Sequence, residues 1–138
     1  MTVEEFATST GRFEGKEELI DGRVHRSPPP SFQHGETCVN IGCILNRYEL
    51  SINEGAATIG SGLIVARNPD SVLSPDVQFF SPRRLPDNYD GWPNNPPTLA
   101  VEILDSSREY GVVMTKVDAA DKSRFCHNIL FLLILRHI

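Results

Sequence analysis

SPDVQFF (residues 74–80), TLAVEIL (residues 98–104) and SSREYGVVMTK (residues 106–116) decide the reading of this chain. Two short apolar runs each carry one carboxylate, Asp76 and Glu102. Pro75 precedes the first, and Lys116 follows the second after a turn. Side chains alternate between the faces of a strand. Asp76 therefore shares a face with Gln78 and opposes Val77, and Glu102 opposes Val101 and Ile103. A carboxylate inside a strand this apolar is costly to bury unless it is paired. A hard divalent cation, which prefers carboxylate and water oxygens, would offset that cost. A lysine beside it could orient a water or neutralise developing charge, the arrangement that phosphodiester hydrolysis needs. The plainer alternative is two strand-end acids facing water. Spacing alone leaves both readings open.

With 138 residues, one domain is expected. The apolar share of 40% and charged share of 22% are those of a globular chain with one core. A net charge of −5 gives no support of its own to a nucleic-acid partner, although a local basic patch can sit on an acidic protein. Cys38, Cys43 and Cys126 form no CxxC pair. Cys38 and Cys43 read as reduced core residues, which fits a cytoplasmic location. The acidic start MTVEEFATST has no apolar signal core. No stretch reaches the ~18 apolar residues of a membrane span.

Along the chain, Thr2 and Glu5 form a capping-box pattern for a short helix ended by Thr10-Gly11. Residues 17–20 and 23–26 flank Asp21-Gly22, a two-residue hairpin signal. Glu18 lies just before that turn. Ser27-Pro28-Pro29-Pro30 is a rigid extended connection. A helix is expected over residues 34–51, with Cys38, Ile41, Leu45 and Tyr48 on its apolar stripe and Ile44 widening it. Asn40, Asn46, Arg47 and Glu49 form the opposite face. His34 stands near the positive end of that helix, where a lone histidine is commonly exposed or capping. Residues 56–59 and 63–66 read as a plain hairpin around Gly60-Ser61-Gly62. No helix follows that glycine-rich piece, so it is not a phosphate cradle. Residues 72–80 read as one central strand and residues 98–104 as a second. Between them lies a loop over residues 81–97 with five of the ten prolines. Arg83, Arg84 and Trp92 in that loop either meet a nucleic acid or, more plainly, pack and face water.

These pieces together resemble the Uma-two family of restriction-endonuclease-like proteins, within the PD-(D/E)XK nuclease-like superfamily. The resemblance is carried by ELIDGRV (residues 18–24), SPPP (residues 27–30) and His34-Gly35. It continues through the turn at residues 60–63, SPDV (residues 74–77), RLP (residues 84–86) and LAVEIL (residues 99–104) with Ser106-Ser107 after it. It spans about residues 3–116. The resemblance implies an α/β (α+β) fold with a mixed central sheet and flanking helices. The hairpin and the two carboxylate strands would form its centre, with the residue 34–51 helix on one face. It implies a metal-dependent endonuclease acting on DNA. Asp76 and Glu102 would hold Mg²⁺ or Mn²⁺, Glu18 would join the acidic cluster, and Lys116 would position the attacking water. His34 would have a secondary role near the phosphate. In this family the lysine sits on the helix after the strand, and Leu104 agrees with that migrated position.

The end of the chain departs from the family pattern over residues 117–138. Ala119-Ala120 stand where a tyrosine is expected. Residues 129–135 are a run of seven apolar residues followed by Arg136-His137. That run either replaces a missing strand, forms a short helix, or marks a truncated or frame-shifted end. Left uncovered it would favour association, so a homodimer is expected. The alternative to an enzyme is a degenerate member of the same fold that binds a partner or only dimerises. A small-molecule zinc hydrolase lacks the His/Cys clusters it would need.

Overall fold

The computed structural model describes residues 1–104, 110–121 and 130–135. Expectations for Ser106, Ser107, Cys126 and Arg136-His137 lie outside the described residues.

Helix α1 (Val3–Ser9) carries the reciprocal cap expected of Thr2 and Glu5: each side chain accepts the other's backbone N–H, at 3.2 and 2.8 Å. The hairpin of β1 (Lys16–Ile20) and β2 (Arg23–Ser27) follows, with Asp21 and Gly22 both at positive φ, as a two-residue turn matching strand twist demands. Helix α2 (Phe32–Ile52) starts two residues earlier than expected, because Ser31 caps it by accepting the His34 N–H. Asn53, in the left-handed conformation, ends it.

The strands β3 (Ala56–Ile59), β4 (Leu63–Ala66), β5 (Ser71–Leu73), β6 (Val77–Phe80) and β7 (Leu99–Leu104) correct three expectations. First, residues 72–80 are two strands rather than one. Pro75 has no N–H to give a ladder, and the chain leaves one sheet at Ser74 and enters another at Val77. Second, β3 and β4 do not pair as a hairpin. Strand β3 pairs with β6 and β4 pairs with β5, so the Gly60–Gly62 stretch is a crossover between sheets. Third, the hairpin and the carboxylate strands lie in different sheets. One antiparallel sheet runs β2-β1-β5-β4 and the other runs β3-β6-β7-β8, where β8 (Leu130–Leu135) lies parallel to β7. Residues 130–135 of the apolar run are thus a strand, not a helix. Seven consecutive apolar residues suit a strand better than the single turn or two of helix they would make.

Helix α3 (Tyr110–Asp121) packs Ala119 and Ala120 onto Ile20, Leu63, Val65, Leu73 and Phe80. On the other face of the first sheet, Val3 and Phe6 of α1 meet Leu19 and Val72. Helix α2 lays Cys38, with Ile41 and Leu45 beside it, on Val77, Val101 and Ile103 of the second sheet. Ile44 is not part of that stripe and is 65% exposed. Gly42 takes the place against β3, where an added Cβ would come 2.9 Å from Ile59. The same rotation leaves Cys43 exposed rather than in the core. Tyr48 keeps an edge-to-face contact with Phe79, the ring centroids 5.5 Å apart. In the long loop, Trp92 lies against Phe6, and the Arg84 guanidinium donates to the Pro97 carbonyl at 3.0 Å. Trp92 packs the loop down and Arg83 faces water, as the plainer expectation had it, whereas Arg84 is half-buried and tied to the loop's own backbone. No helix among the described residues is long and apolar enough to cross a membrane.

Leu19 is fully buried and bridges α1 to the first sheet. Leu19→Ala should lower stability by about 2–5 kcal/mol, read as the urea midpoint. Leu50→Ala, at a position 70% exposed on α2, should change it by no more than about 0.5 kcal/mol.

Candidate active site

The break between β5 and β6 builds the site. Pro75 restricts Ser74 to extended backbone, and the Ser74 N–H lies outside the β4–β5 ladder, which ends at Leu73. Glu18 Oε1 on β1 accepts that N–H at 2.8 Å. Asp76, one residue before β6, extends the antiparallel register in which Val77 faces Val101. It therefore lies across from Glu102. Asp76 Oδ2 accepts the Ile103 N–H at 2.7 Å, which fixes its carboxylate. Asp76 is thus at a junction between the sheets rather than within a continuous strand.

All five candidate residues come together. Glu18, Asp76, Glu102 and Lys116 are all less than 9% exposed. Lys116 Nζ lies 2.9 Å from Glu18 Oε2 and 3.2 Å from Glu102 Oε1. His34 Nε2 lies 3.3 Å from Asp76 Oδ1, and its backbone opens α2. Glu18 is a buried member of the cluster, not an exposed hairpin residue; its neighbour Glu17 is half-buried and pairs instead with Arg26 at 3.0 Å.

Lys16 was not singled out by sequence. Its ammonium lies 3.1 Å from Asp76, 3.8 Å from Glu102 and 4.0 Å from Glu18. The available signal was strand alternation: Lys16 and Glu18 are two apart on β1 and share a face.

Charge and burial compete across the cluster. Burial raises the Glu102 carboxyl, against the opposing pull of Lys116 and Lys16, to about 7. Asp76 is the reverse case. Burial alone would raise it, but Lys16, the Ile103 N–H and His34 hold it below the ordinary aspartate value. Burial disfavours charge on Lys16 as well, yet the three carboxylates outweigh it and push its pKa up. Burial, aided by Asp76, pushes the neighbouring Cys38 thiol up to about 11, so Cys38 is a wall and not a nucleophile.

Among the described residues, no group of three His, Cys, Asp or Glu side chains is arranged to hold a metal ion as it stands. Ligand oxygens sit about 2.0–2.1 Å from Mg²⁺, whereas these carboxylates are spread around lysine ammoniums at 2.9–4.0 Å. The donor chemistry still fits a hard cation, with three carboxylates, an imidazole and no thiolate aimed inward. A cavity of about 370 Å³ opens onto Lys16, Arg26, His34, Asp76, Glu102 and Lys116.

In metal-free buffer the Glu102 shift sets a pH dependence. Between about pH 4.5 and 7 the folded protein keeps a proton that the unfolded chain has lost. Stability from this group is therefore full below about 4.5 and falls as pH rises through about 7. Asp76 acts oppositely: its contribution is present above about 3.8 and is lost on acidification. The urea midpoint with chelator should decline from pH 5 to 7.5, and Glu102→Gln should flatten that decline. An unchanged slope in the variant would place the proton elsewhere.

Residues 3–118 match the Uma2 family, described as "Putative restriction endonuclease". No curated protein matches the chain. Among solved structures, the fold is similar to a protein of Anabaena variabilis described as a "putative nuclease belonging to DUF820". The TM-score is 0.76 at 20% identity, over 98% of this chain and 74% of that one. At that identity the likeness establishes a shared fold, a mixed α+β architecture of the restriction-endonuclease-like type. With a family match across most of its length and that fold around the acidic cluster, the chain belongs to the Uma2 family.

Proposed function

We propose that this protein is a divalent-metal-dependent nuclease that hydrolyses phosphodiester bonds in DNA. The observation that carries the reading is the convergence of Glu18, Asp76 and Glu102 on two lysines, with Lys116 of α3 against Glu18 and Glu102 and Lys16 against Asp76. Five charged groups drawn from both sheets and α3 are expensive to bury for structure alone. Perturbed, mutually facing titratable groups beside a cavity are the usual mark of chemistry.

Asp76 and Glu102 would hold Mg²⁺ or Mn²⁺, with Glu18 completing the set. When bound, such an ion supplies Lewis-acid stabilisation of the phosphate and a more acidic water. The chain's own groups do the rest. The Ile103 and Ser74 N–H groups lock the Asp76 and Glu18 carboxylates, so little reorganisation is needed. The Lys116 ammonium, held by Glu18 and Glu102, donates to an attacking water or to a phosphate oxygen as charge builds. The N-terminal end of the 21-residue helix α2, where His34 sits, presents positive potential at the cavity. Together with Arg26 it supplies local attraction for a phosphate that the net charge of −5 does not.

A second reading has its own observation. Lys16 already neutralises the carboxylates, and the chain lacks the expected tyrosine near Ala119-Ala120. A non-catalytic member that binds a partner would look like this. Two accompanying features belong to the same proposal. Strand β8, an edge of its sheet among the described residues, is a template for pairing with a second copy, which supports a homodimer. The free thiols of Cys38 and Cys43 support a reducing, cytoplasmic setting.

Calorimetry with Mn²⁺ separates the readings. The parent should bind, Asp76→Ala should not, and plasmid cleavage should vanish with binding. Lys116→Gln should retain binding and cleave about 10²–10³-fold more slowly. A parent that takes up no Mn²⁺ favours the non-catalytic reading. A monomer by light scattering at micromolar concentration would overturn the dimer.

A further inference from the structure

Lys16 and Lys116 are both ammonium groups among the same carboxylates, but they are held differently. The Lys116 side chain is 6% exposed and lies within 3.3 Å of three carboxylate oxygens on two glutamates. The Lys16 side chain is 23% exposed, makes one short contact, to Asp76, and reaches Glu102 and Glu18 only at 3.8 and 4.0 Å. It also lines both the 370 Å³ cavity and a neighbouring cavity of about 740 Å³. One lysine is a fixed part of the cluster. The other sits at its open side, on a flexible four-carbon stem with space to move into.

The place Lys16 occupies matters. It is the only described ammonium within 4.0 Å of all three carboxylates. A divalent ion taking Asp76 and Glu102 as ligands needs that same space. Ammonium and metal cannot both fill it, because like charges would then lie within a few ångströms of each other.

We propose that Lys16 is a tethered cation that holds the metal position in the metal-free protein and moves into the adjoining cavity when a divalent ion enters. This rests on the metal-dependent reading of the site. It adds that the chain carries its own competitor for the ion, so the carboxylates stay assembled without metal at the expense of affinity. Lys16 is in this sense a positioning residue. Displaced toward the cavity, its ammonium would face the side from which a phosphate approaches.

The test is Mn²⁺ calorimetry on the full chain, comparing the parent with Lys16→Met and Lys16→Arg. Lys16→Met should bind at least about tenfold more tightly and have a lower metal-free Tm, since Asp76 then loses its ammonium partner. Lys16→Arg should return affinity toward that of the parent, which a merely structural role would not require. Binding in Lys16→Met no tighter than in a parent that does bind overturns the tethered cation and leaves the metal site standing. Absence of Mn²⁺ uptake in both overturns the metal reading and this proposal together. Uptake by Lys16→Met alone supports it. Should Lys16→Met fail to fold, the parent suffices. Reductive methylation of Lys16, read by peptide mass spectrometry, should quicken at least about fivefold with saturating Mg²⁺ if the amine leaves its carboxylates, and an unchanged rate overturns the proposal.

Discussion

The contact between Lys116 and the two glutamates ties this fold together. Glu18 comes from the first sheet, Glu102 from the second, and Lys116 from α3. Among the described residues, Lys116 is the group that ties α3 by charge to both sheets. Each group is nearly out of water, where an unpaired charge costs several kcal/mol. The cluster therefore has to form as a unit, and forming it fixes how the two sheets meet. A hydrophobic interface would tolerate sliding by a fraction of an ångström. Hydrogen bonds of 2.9–3.3 Å between charged groups do not.

The same requirement explains the peculiar run at Ser74-Pro75-Asp76. A continuous strand would keep Asp76 in one ladder with its N–H and C=O committed to neighbours in that sheet. Breaking it at Pro75 frees the Ser74 N–H for Glu18 and sets the Asp76 carboxylate beneath the Ile103 N–H. The Asp76 carbonyl in turn accepts from Gly60, and Ser74 Oγ donates to the Gly60 carbonyl. Both crossings between the sheets, at residues 60–62 and 74–76, are thus laced to each other directly beside the site. The proline is where the chain changes sheets, and the carboxylates are held by the backbone groups that the change releases.

The legible and illegible parts of the sequence divide along this line. Local signals survived contact with the structure: the Thr2/Glu5 cap, the Asp21-Gly22 turn, and the period of Cys38, Ile41 and Leu45. Each depends on residues close in sequence. The expectation of a single sheet failed because period-2 alternation tells which face a side chain takes, not which sheet a strand joins. Residues 72–80 look like one strand to any local rule, apart from the proline. Ile44 failed for a similar reason. Gly42 carries no hydrophobic signal, yet its lack of a Cβ lets β3 approach and turns the buried face away from Ile44. Asp76 and Glu102 were visible because acids interrupt apolar runs, Lys116 because it follows the second run after a turn, and Glu18 through the family resemblance. Lys16 was not, because a lysine on a hairpin next to Glu17 and Glu18 looks like ordinary solvated charge until the opposite wall of the site is known.

Leu104 shows why spacing along the chain is a poor guide to the lysine. It lies two residues past Glu102 on β7 and so shares its face. A lysine there would emerge beside the carboxylate directly. Instead Leu104 is fully buried, and the amine arrives from α3, fourteen residues after Glu102 in sequence, yet 3.2 and 3.3 Å from its oxygens. What the chemistry asks for is a positive donor at one point in space, not a residue at one interval. Moving it to the helix has a physical consequence. A strand lysine would be held by β7 alone, whereas Lys116 draws α3 onto Glu18 and Glu102 together, so the helix docks through the site as well as through Ala119 and Ala120. Packing of α3 and assembly of the charged cluster therefore support each other.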